Sequence, residues 1–443
     1  MNKILLLKEL LYKRWFLRLR SREQVERYQR KRWKKQLQYM ESHSPYFAKH
    51  GIQALPKMNK AFMMEHFDEL NTVGVKRDEA MEVALNAEKS RDFSPTLNGV
   101  SVGLSSGTSG HRGLFLSTER EQALWAANVC AKLLPRGKLF GNRIAFFLRA
   151  DNNLYHSVNS PLLRYEYFDT FADISEHIER LNAYQPTILV APPSMLLRLG
   201  KEVRRGNLKI KPLKIISVAE ILEDTDKRYL QKAFRTKVIH QVYQATEGFL
   251  ACTCEYGNLH INEDGILLEK RYLDENRFYP IITDLQRTSQ PMIRYELNDI
   301  LVESRQACPC GSPFLRIERI EGRSDDIFVF SSREEGKVVE VFPDFIRRCI
   351  LFVEGILEYQ VIQNTDGSLE IACNQLSEEK KQAIVYEFEK LAEQKKFLLP
   401  EITFTQYHWD RRVKLKRVVR KSIKNMDSVD KVLRKEKYES NCN

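Results

Sequence analysis

Apolar runs of strand length alternate with helical patterns through the middle of the chain. Ile144 to Leu148 (IAFFL) and Thr187 to Val190 (TILV) are short and almost wholly apolar, and helical spacing covers Ile174 to Ala183 and Ser194 to Arg204. Lys214 to Val218 (KIISV) and Lys237 to Gln241 (KVIHQ) repeat the strand-then-helix rhythm. Buried strands separated by helices predict a largely parallel sheet covered by helices, an α/β fold. Upstream, residues 41–99 read as short helices and loops punctuated by Pro45 and Pro56, and Val100 to Leu104 and Leu114 to Ser117 read as two short strands. A helix opens after them, where Thr118 and Glu121 make the S/T-x-x-E capping pattern. From about Leu259 the texture changes to short strands and turns. Beyond residue 325 a smaller unit begins, with strands near Leu357–Ile362 and Leu369–Cys373 and a charged helix from Ser377 to Gln394. No repeat or low-complexity tract interrupts this order.

At 443 residues the chain exceeds the size at which one core keeps growing, so two or more domains are expected. The net charge of +12 is unevenly placed. Residues 1–40 hold thirteen Lys/Arg against three Glu and residues 411–443 hold twelve against four acidic residues, so the middle of the chain is net acidic. Basic residues at the ends lack interleaved aromatics apart from Trp15, Tyr28 and Trp33, which argues against nucleic acid as a partner. Residues 1–40 read as a basic amphipathic helix. Packing on the main domain is one reading of it, and weak contact with an anionic membrane surface is the other. No run of about eighteen apolar residues occurs, so no membrane span is expected. Eight cysteines are too few for a disulfide scaffold and suit a cytoplasmic setting.

The two upstream strands bracket Ser105-Ser106-Gly107-Thr108-Ser109-Gly110-His111-Arg112-Gly113. Glycines let backbone N–H groups approach an anion, and the hydroxyls add donors, as a polyphosphate requires; a plain exposed turn is the other reading. A Walker A loop is excluded because its lysine is absent and the loop joins two strands. Four further stretches carry candidate chemistry. In Tyr243-Gln244-Ala245-Thr246-Glu247-Gly248 the tyrosine can stack on a base, the threonine can bond a phosphate or acyl oxygen, and the glutamate can hold Mg²⁺. Pro291 to Asp299 (PMIRYELND) ends in a carboxylate able to accept both hydroxyls of a ribose. Arg316 to Asp326 is a charged, hinge-like segment, and Arg411 to Arg420 is a basic strand-like run.

Taken in order, these stretches resemble the adenylate-forming superfamily, in the branch of phenylacetate–CoA ligase, coenzyme F390 synthetase and CapK-like capsular-biosynthesis proteins. The resemblance covers about residues 90–425 and is strongest in LHINEDGILLE, PMIRYELND and CPCGSPFLRIERIEGRSDD. It implies a large multi-layer adenylation domain over residues 1–324 and a small mobile α+β lid over 325–443. It also implies ATP-dependent activation of an aryl or acyl carboxylic acid to an acyl-adenylate, with release of pyrophosphate. Transfer to a pantetheine thiol of CoA or a carrier protein would follow. Transfer to an amine or other acceptor, or a non-catalytic nucleotide-binding role, are the alternatives. By resemblance, Ser105, Ser106, Gly107, Thr108, Ser109 and Gly110 hold the β- and γ-phosphates. Ala219, Glu220 and Tyr243 line the adenine site, while Thr246 and Glu247 serve phosphate and Mg²⁺. Asp299 takes the ribose hydroxyls, Arg323 reaches the ribose or phosphate, Asp325 is the hinge, and Lys414 is the catalytic lysine. The acid pocket is expected near Ser194, Ser217 to Ile221 and Gln244.

Departures from the family pattern are His111-Arg112-Gly113 in the loop, Gln244 after Tyr243, Val413 before Lys414, and an insertion from Ser331 to Lys337. Cysteine carries a separate signal. Cys308-Pro309-Cys310-Gly311 has the form of a metal knuckle, and related sequences have Cys-x(5)-His and Cys-x-Cys here. The resemblance therefore picks Cys254, His260, Cys308 and Cys310 as a structural Zn²⁺ site, against free thiols as the other reading.

Overall fold

The computed structural model describes residues 2–51, 57–90, 92–105, 113–138, 140–148, 163–356, 358–374, 376–408 and 415–421. Its contacts divide the chain between Ile320 and Glu321.

The large unit holds a parallel sheet run that merges into an antiparallel one. Strands β1 (Thr96–Leu97), β2 (Val100–Leu104) and β3 (Leu114–Thr118) make a separate antiparallel sheet. Next come β4 (Asn142–Leu148), β5 (Leu163–Asp169), β6 (Ile188–Ala191), β7 (Lys214–Ser217) and β8 (His240–Ala245). These five lie parallel in the order β5-β4-β6-β7-β8. β6 and β7 are buried at every position; β6 is accordingly apolar throughout, and β7 is apolar between Lys214 and Ser217 at its ends. Helices Ile174–Tyr184, Pro193–Arg205 and Asp224–Phe234 cover this run, and Leu181, Met195, Leu196, Leu199 and Leu230 seal its core.

Beyond β8 the sheet continues through β9 (Gly248–Thr253), β10 (Leu259–Ile261), β11 (Ile266–Tyr272), β12 (Arg277–Asp284), β13 (Tyr295–Glu296), β14 (Asp299–Glu303) and β15 (Arg316–Arg323). Its order is β8-β9-β10-β15-β14-β12-β11, with β13 pairing β12. Met40, Phe47 and Met58 from the N-terminal segment pack into this half's core. In place of one helix over residues 1–40, the segment forms two, Lys3–Leu11 and Arg22–His43. A π-turn at Tyr12–Phe16 ends the first, and the Ser21 hydroxyl caps the second by accepting the Gln24 N–H.

The small unit pairs β16 (Phe328–Ser331) with β17 (Val338–Val341), and the Ser331–Lys337 insertion supplies their turn. A second sheet orders β20 (Ile402–Gln406), β19 (Leu369–Cys373), β18 (Tyr359–Gln363) and β21 (Val418–Arg420). Helices Pro343–Leu351 and Glu378–Lys395 pack on a core of Phe328, Ile346, Tyr359, Phe388 and Phe397.

Candidate functional site

In parallel sheets, ligands gather outside the carboxyl ends of the strands. β7 and β8 pair in register at Ile216–His240 and Ser217–Gln241, so Ala219 and Glu220 follow β7 at the same end at which Tyr243 to Ala245 close β8 and Thr246 and Glu247 follow it. Ala219 takes a left-handed φ of 68°. The Glu220 carboxylate accepts the Ser194 N–H at 3.2 Å, tying the end of β7 to the helix after β6. The Tyr243 hydroxyl donates to Asp299 Oδ2 at 2.5 Å, joining β8 to the first residue of β14. That bond fixes the orientation of the carboxylate expected to meet a ribose.

Glu247 sits in the tight β8–β9 turn and is buried. The Thr246 hydroxyl donates to its Oε2 at 2.9 Å, and Arg287 Nη1 donates to the Thr246 carbonyl at 3.0 Å. Tyr295 also hydrogen-bonds Glu247; burial first, then the neighbouring carboxylate, push the phenol well above its ordinary pKa. Tyr295 and Arg287 were not singled out from the sequence, although Tyr295 lies inside the PMIRYELND stretch. A buried carboxylate oriented by hydroxyls suits Mg²⁺, which takes one or two protein carboxylates plus substrate phosphates.

Ser105 closes the base of the glycine–serine loop. Its N–H donates to the Gly113 carbonyl and its hydroxyl accepts the Gly113 N–H, both at 2.8 Å. Behind the loop, the capping box at Thr118 and Glu121 is present. Glu121 does more than cap. Its Oε1 accepts the Thr288 and Ser289 N–H groups at 2.6 and 2.7 Å, and its Oε2 accepts the Thr118 N–H and the Ser289 hydroxyl at 2.8 and 2.6 Å. One buried carboxylate thus joins the helix after the loop to the segment leading to Asp299. Burial pushes its pKa up, but the Ser289 hydroxyl and the backbone donors outweigh burial and hold it below the usual range. Glu121→Ala leaves these donors unpaired and is expected to cost about 3–4 kcal/mol in urea unfolding. The native contribution is present above an ordinary glutamate pKa of about 4.3 and is lost as pH falls through the lowered folded value.

The cysteine cluster lies elsewhere in the large unit. Cys254 and His260 flank the β9–β10 turn, and Cys308 and Cys310 lie between β14 and β15. The four ligand atoms all lie within 4.8 Å of one another. Cys254 Sγ is 3.7 Å from Cys308 Sγ, and Cys310 Sγ is 3.5 Å from His260 Nε2. Tetrahedral zinc with Zn–S near 2.3 Å and Zn–N near 2.05 Å puts adjacent sulfurs about 3.8 Å apart and sulfur–nitrogen pairs about 3.5 Å apart. His260 Nδ1 donates to the Phe314 carbonyl at 3.1 Å, which leaves Nε2 unprotonated toward the cluster. The donor set fits a structural zinc.

No family model matches the chain. Protein CapK of Staphylococcus aureus is 28% identical over 233 residues, 51% of this chain and 50% of CapK. A phenylacetate-coenzyme A ligase of Thermus thermophilus is 23% identical over 205 residues, 43% of this chain and 44% of the ligase. The chain thus spans about half the length of the curated relatives it matches. Among solved structures, 2-hydroxyisobutyryl-CoA ligase in its postadenylation state matches with a TM-score of 0.67 at 16% identity, covering 94% of this chain and 92% of that one. The chain has the adenylate-forming ligase fold. It is a distant homologue of CapK and the phenylacetate-CoA ligases.

On this adenylate-forming fold the structure joins Tyr243 to Asp299 and Thr246 to Glu247, and puts Ala219 and Glu220 at the neighbouring strand end. Arg323 ends β15, on the small unit's side of the division, and Asp325 lies in the single helical turn that follows. Ser106, Gly107, Thr108, Ser109, Gly110 and Lys414 lie outside the described residues. Among the described residues, no helix is long and apolar enough to cross a membrane.

Proposed function

We propose that the chain is an ATP-dependent carboxylate–AMP ligase that passes its acyl group to a pantetheine thiol, on CoA or a carrier protein. The observation that carries this reading is the Tyr243–Asp299 bond beside Thr246 and Glu247 at the carboxyl ends of the parallel strands. The 2-hydroxyisobutyryl-CoA ligase of the same fold holds 2-hydroxyisobutyryl-AMP and CoA in its thioesterification state. In this reading residues 1–324 form the adenylation domain, 325–443 the lid, and Asp325 the hinge.

A substrate carboxylate oxygen attacks the α-phosphorus of ATP, and the bond to pyrophosphate breaks. Asp299 accepts the ribose hydroxyls, with Tyr243 holding its carboxylate in place. Ser105 to Gly110 bind the terminal phosphates, Thr246 bonds an acyl or phosphate oxygen, and Arg323 reaches the ribose or phosphate. Glu247 is the residue that would hold Mg²⁺, which supplies charge neutralisation on the polyphosphate. Lys414 brings a cation to the two reacting anions, and Cys254, His260, Cys308 and Cys310 are the residues that would hold a structural zinc.

Asp299→Ala removes the ribose acceptor and is expected to weaken AMP binding by roughly 10- to 100-fold in calorimetry, with the fold intact by circular dichroism. Unchanged AMP affinity removes Asp299 from the site. The acceptor is decided by which nucleophile speeds AMP release from the pre-formed acyl-adenylate. Acceleration by CoA or a phosphopantetheinylated carrier is the expected result, and acceleration by amines alone overturns the thiol step.

A further inference from the structure

The helix Lys3–Leu11 is apolar on both its inward and its outward side, which an ordinary surface helix is not. A helix that merely packs on a domain turns its apolar stripe inward and its charges outward. Here Leu10 is buried and Leu5, Leu6 and Glu9 are half-buried, so part of the apolar surface does turn inward. The inward anchors just beyond it are polar. Lys13 Nζ pairs with buried Asp264 at 3.0 Å with its side chain only 2% exposed. Arg14 donates to the carbonyls of Ala131, Leu134 and Pro135 at 3.2, 3.2 and 2.6 Å. Lys132 meets the same aspartate from the opposite side at 2.6 Å. Burial raises the Asp264 carboxyl, but the two ammonium groups outweigh it and hold it far below the usual range.

The outward face is apolar. Ile4, Leu7, Leu11 and Trp15 recur at helical spacing along one stripe, with Tyr12 and Phe16 beside its end. Ile4 is 83% and Phe16 73% exposed, and all six are exposed. Among the described residues sixteen large hydrophobics are exposed, and these six fall within thirteen consecutive positions, so the patch is concentrated here. Exposed Lys3 and Lys8 lie on the helix, and exposed Arg18 and Arg20 follow it. Apolar residues with Trp and Tyr, bordered by cations, match the acyl–headgroup boundary of an anionic bilayer.

We propose that this outward face, Ile4 to Phe16 with Lys3, Lys8, Arg18 and Arg20, docks the large unit on an anionic lipid surface. The Lys13 and Arg14 anchors fix the helix to the protein, so the lipid meets a preformed face and no folding of the segment is required. Charge selects the occupant. A second copy would bring its own four cations against these, whereas phosphatidylglycerol headgroups complement them. The inference is independent of the adenylation reading.

The test is flotation of the full-length protein with vesicles of phosphatidylcholine, with and without phosphatidylglycerol, at low and high salt. The protein is expected to float with the phosphatidylglycerol vesicles, less so at high salt. Leu7→Glu with Leu11→Glu is expected to lower the bound fraction at least about tenfold, and Lys3→Glu with Lys8→Glu likewise, at about fivefold per charge. Both pairs should keep the wild-type melting temperature, since all four side chains are exposed. Wild-type protein that does not float, or binds neutral vesicles equally well, overturns the proposal. So does a leucine variant that floats like wild type. A wild-type dimer that the leucine variant splits, with no vesicle binding, assigns the face to a second copy and equally overturns it.

Discussion

Replacing Lys414 by alanine is expected to lower formation of the acyl-adenylate by roughly 100- to 1000-fold, the usual cost of removing a charge-stabilising contact from a transition state. Two anions, a carboxylate and a triphosphate, must meet in this step, and a cation bridging their oxygens acts where repulsion peaks. Transfer from a chemically supplied acyl-adenylate is expected to stay nearly unchanged, because that half-reaction no longer brings the two anions together. Lys416 is the control, two residues away in the same basic run. Its Nζ is 3.0 Å from Asp326 Oδ1, inside the small unit. Burial raises the Asp326 carboxyl and Lys416 draws it back, so the lysine already has a structural task. Lys416→Ala is expected to cost about 1–2 kcal/mol of small-unit stability and to leave both half-reactions within a few-fold of wild type. If the two mutants exchange behaviour in pyrophosphate exchange, Lys416 is the catalytic cation.

Protein purified without added metal is expected to carry one zinc per chain by elemental analysis, and Cys308→Ser is expected both to lose it and to lower the melting temperature strongly. The four ligands come from two distant stretches, the β9–β10 turn and the β14–β15 connection. Closing them on a metal ties together loops some fifty residues apart, so loss is expected to cost on the order of several kcal/mol. The 3.7 Å separation of Cys254 and Cys308 is a ligand spacing and far longer than a disulfide bond of about 2.05 Å. Metal-free protein with unchanged melting contradicts the zinc site.

Much of this was legible in the chain because it is local. The hairpin of β2 and β3 and its capping box, strand β19 and the helices of the parallel run are fixed by apolar period and cap residues within a few positions. β5 was not, because LRYEYFD alternates charge with aromatics at the edge of the sheet and lacks the unbroken apolar run of an inner strand. Lys237 to Ile239 read as strand, yet β8 starts at His240; Ile239 is apolar because it is buried in the core beneath the sheet. At the site, sequence order and family resemblance supplied the residue types. The 56-residue step from Tyr243 to Asp299 and the reach of Glu121 to Ser289 are products of tertiary pairing that no local spacing encodes. The N-terminal helix shows the same limit: KILLLKELL is apolar on more than one side, and only tertiary contacts such as buried Leu10 and the Lys13–Asp264 pair show which side is left exposed.

Acid-dependent exchange of pyrophosphate into ATP, run across a panel of aryl and alkyl carboxylic acids, tests the central claim most directly. The account predicts Mg²⁺-dependent exchange with at least one acid, lost in Asp299→Ala and Lys414→Ala while both variants remain folded. No exchange with any acid, together with no saturable binding of AMP by the wild-type protein, would contradict it.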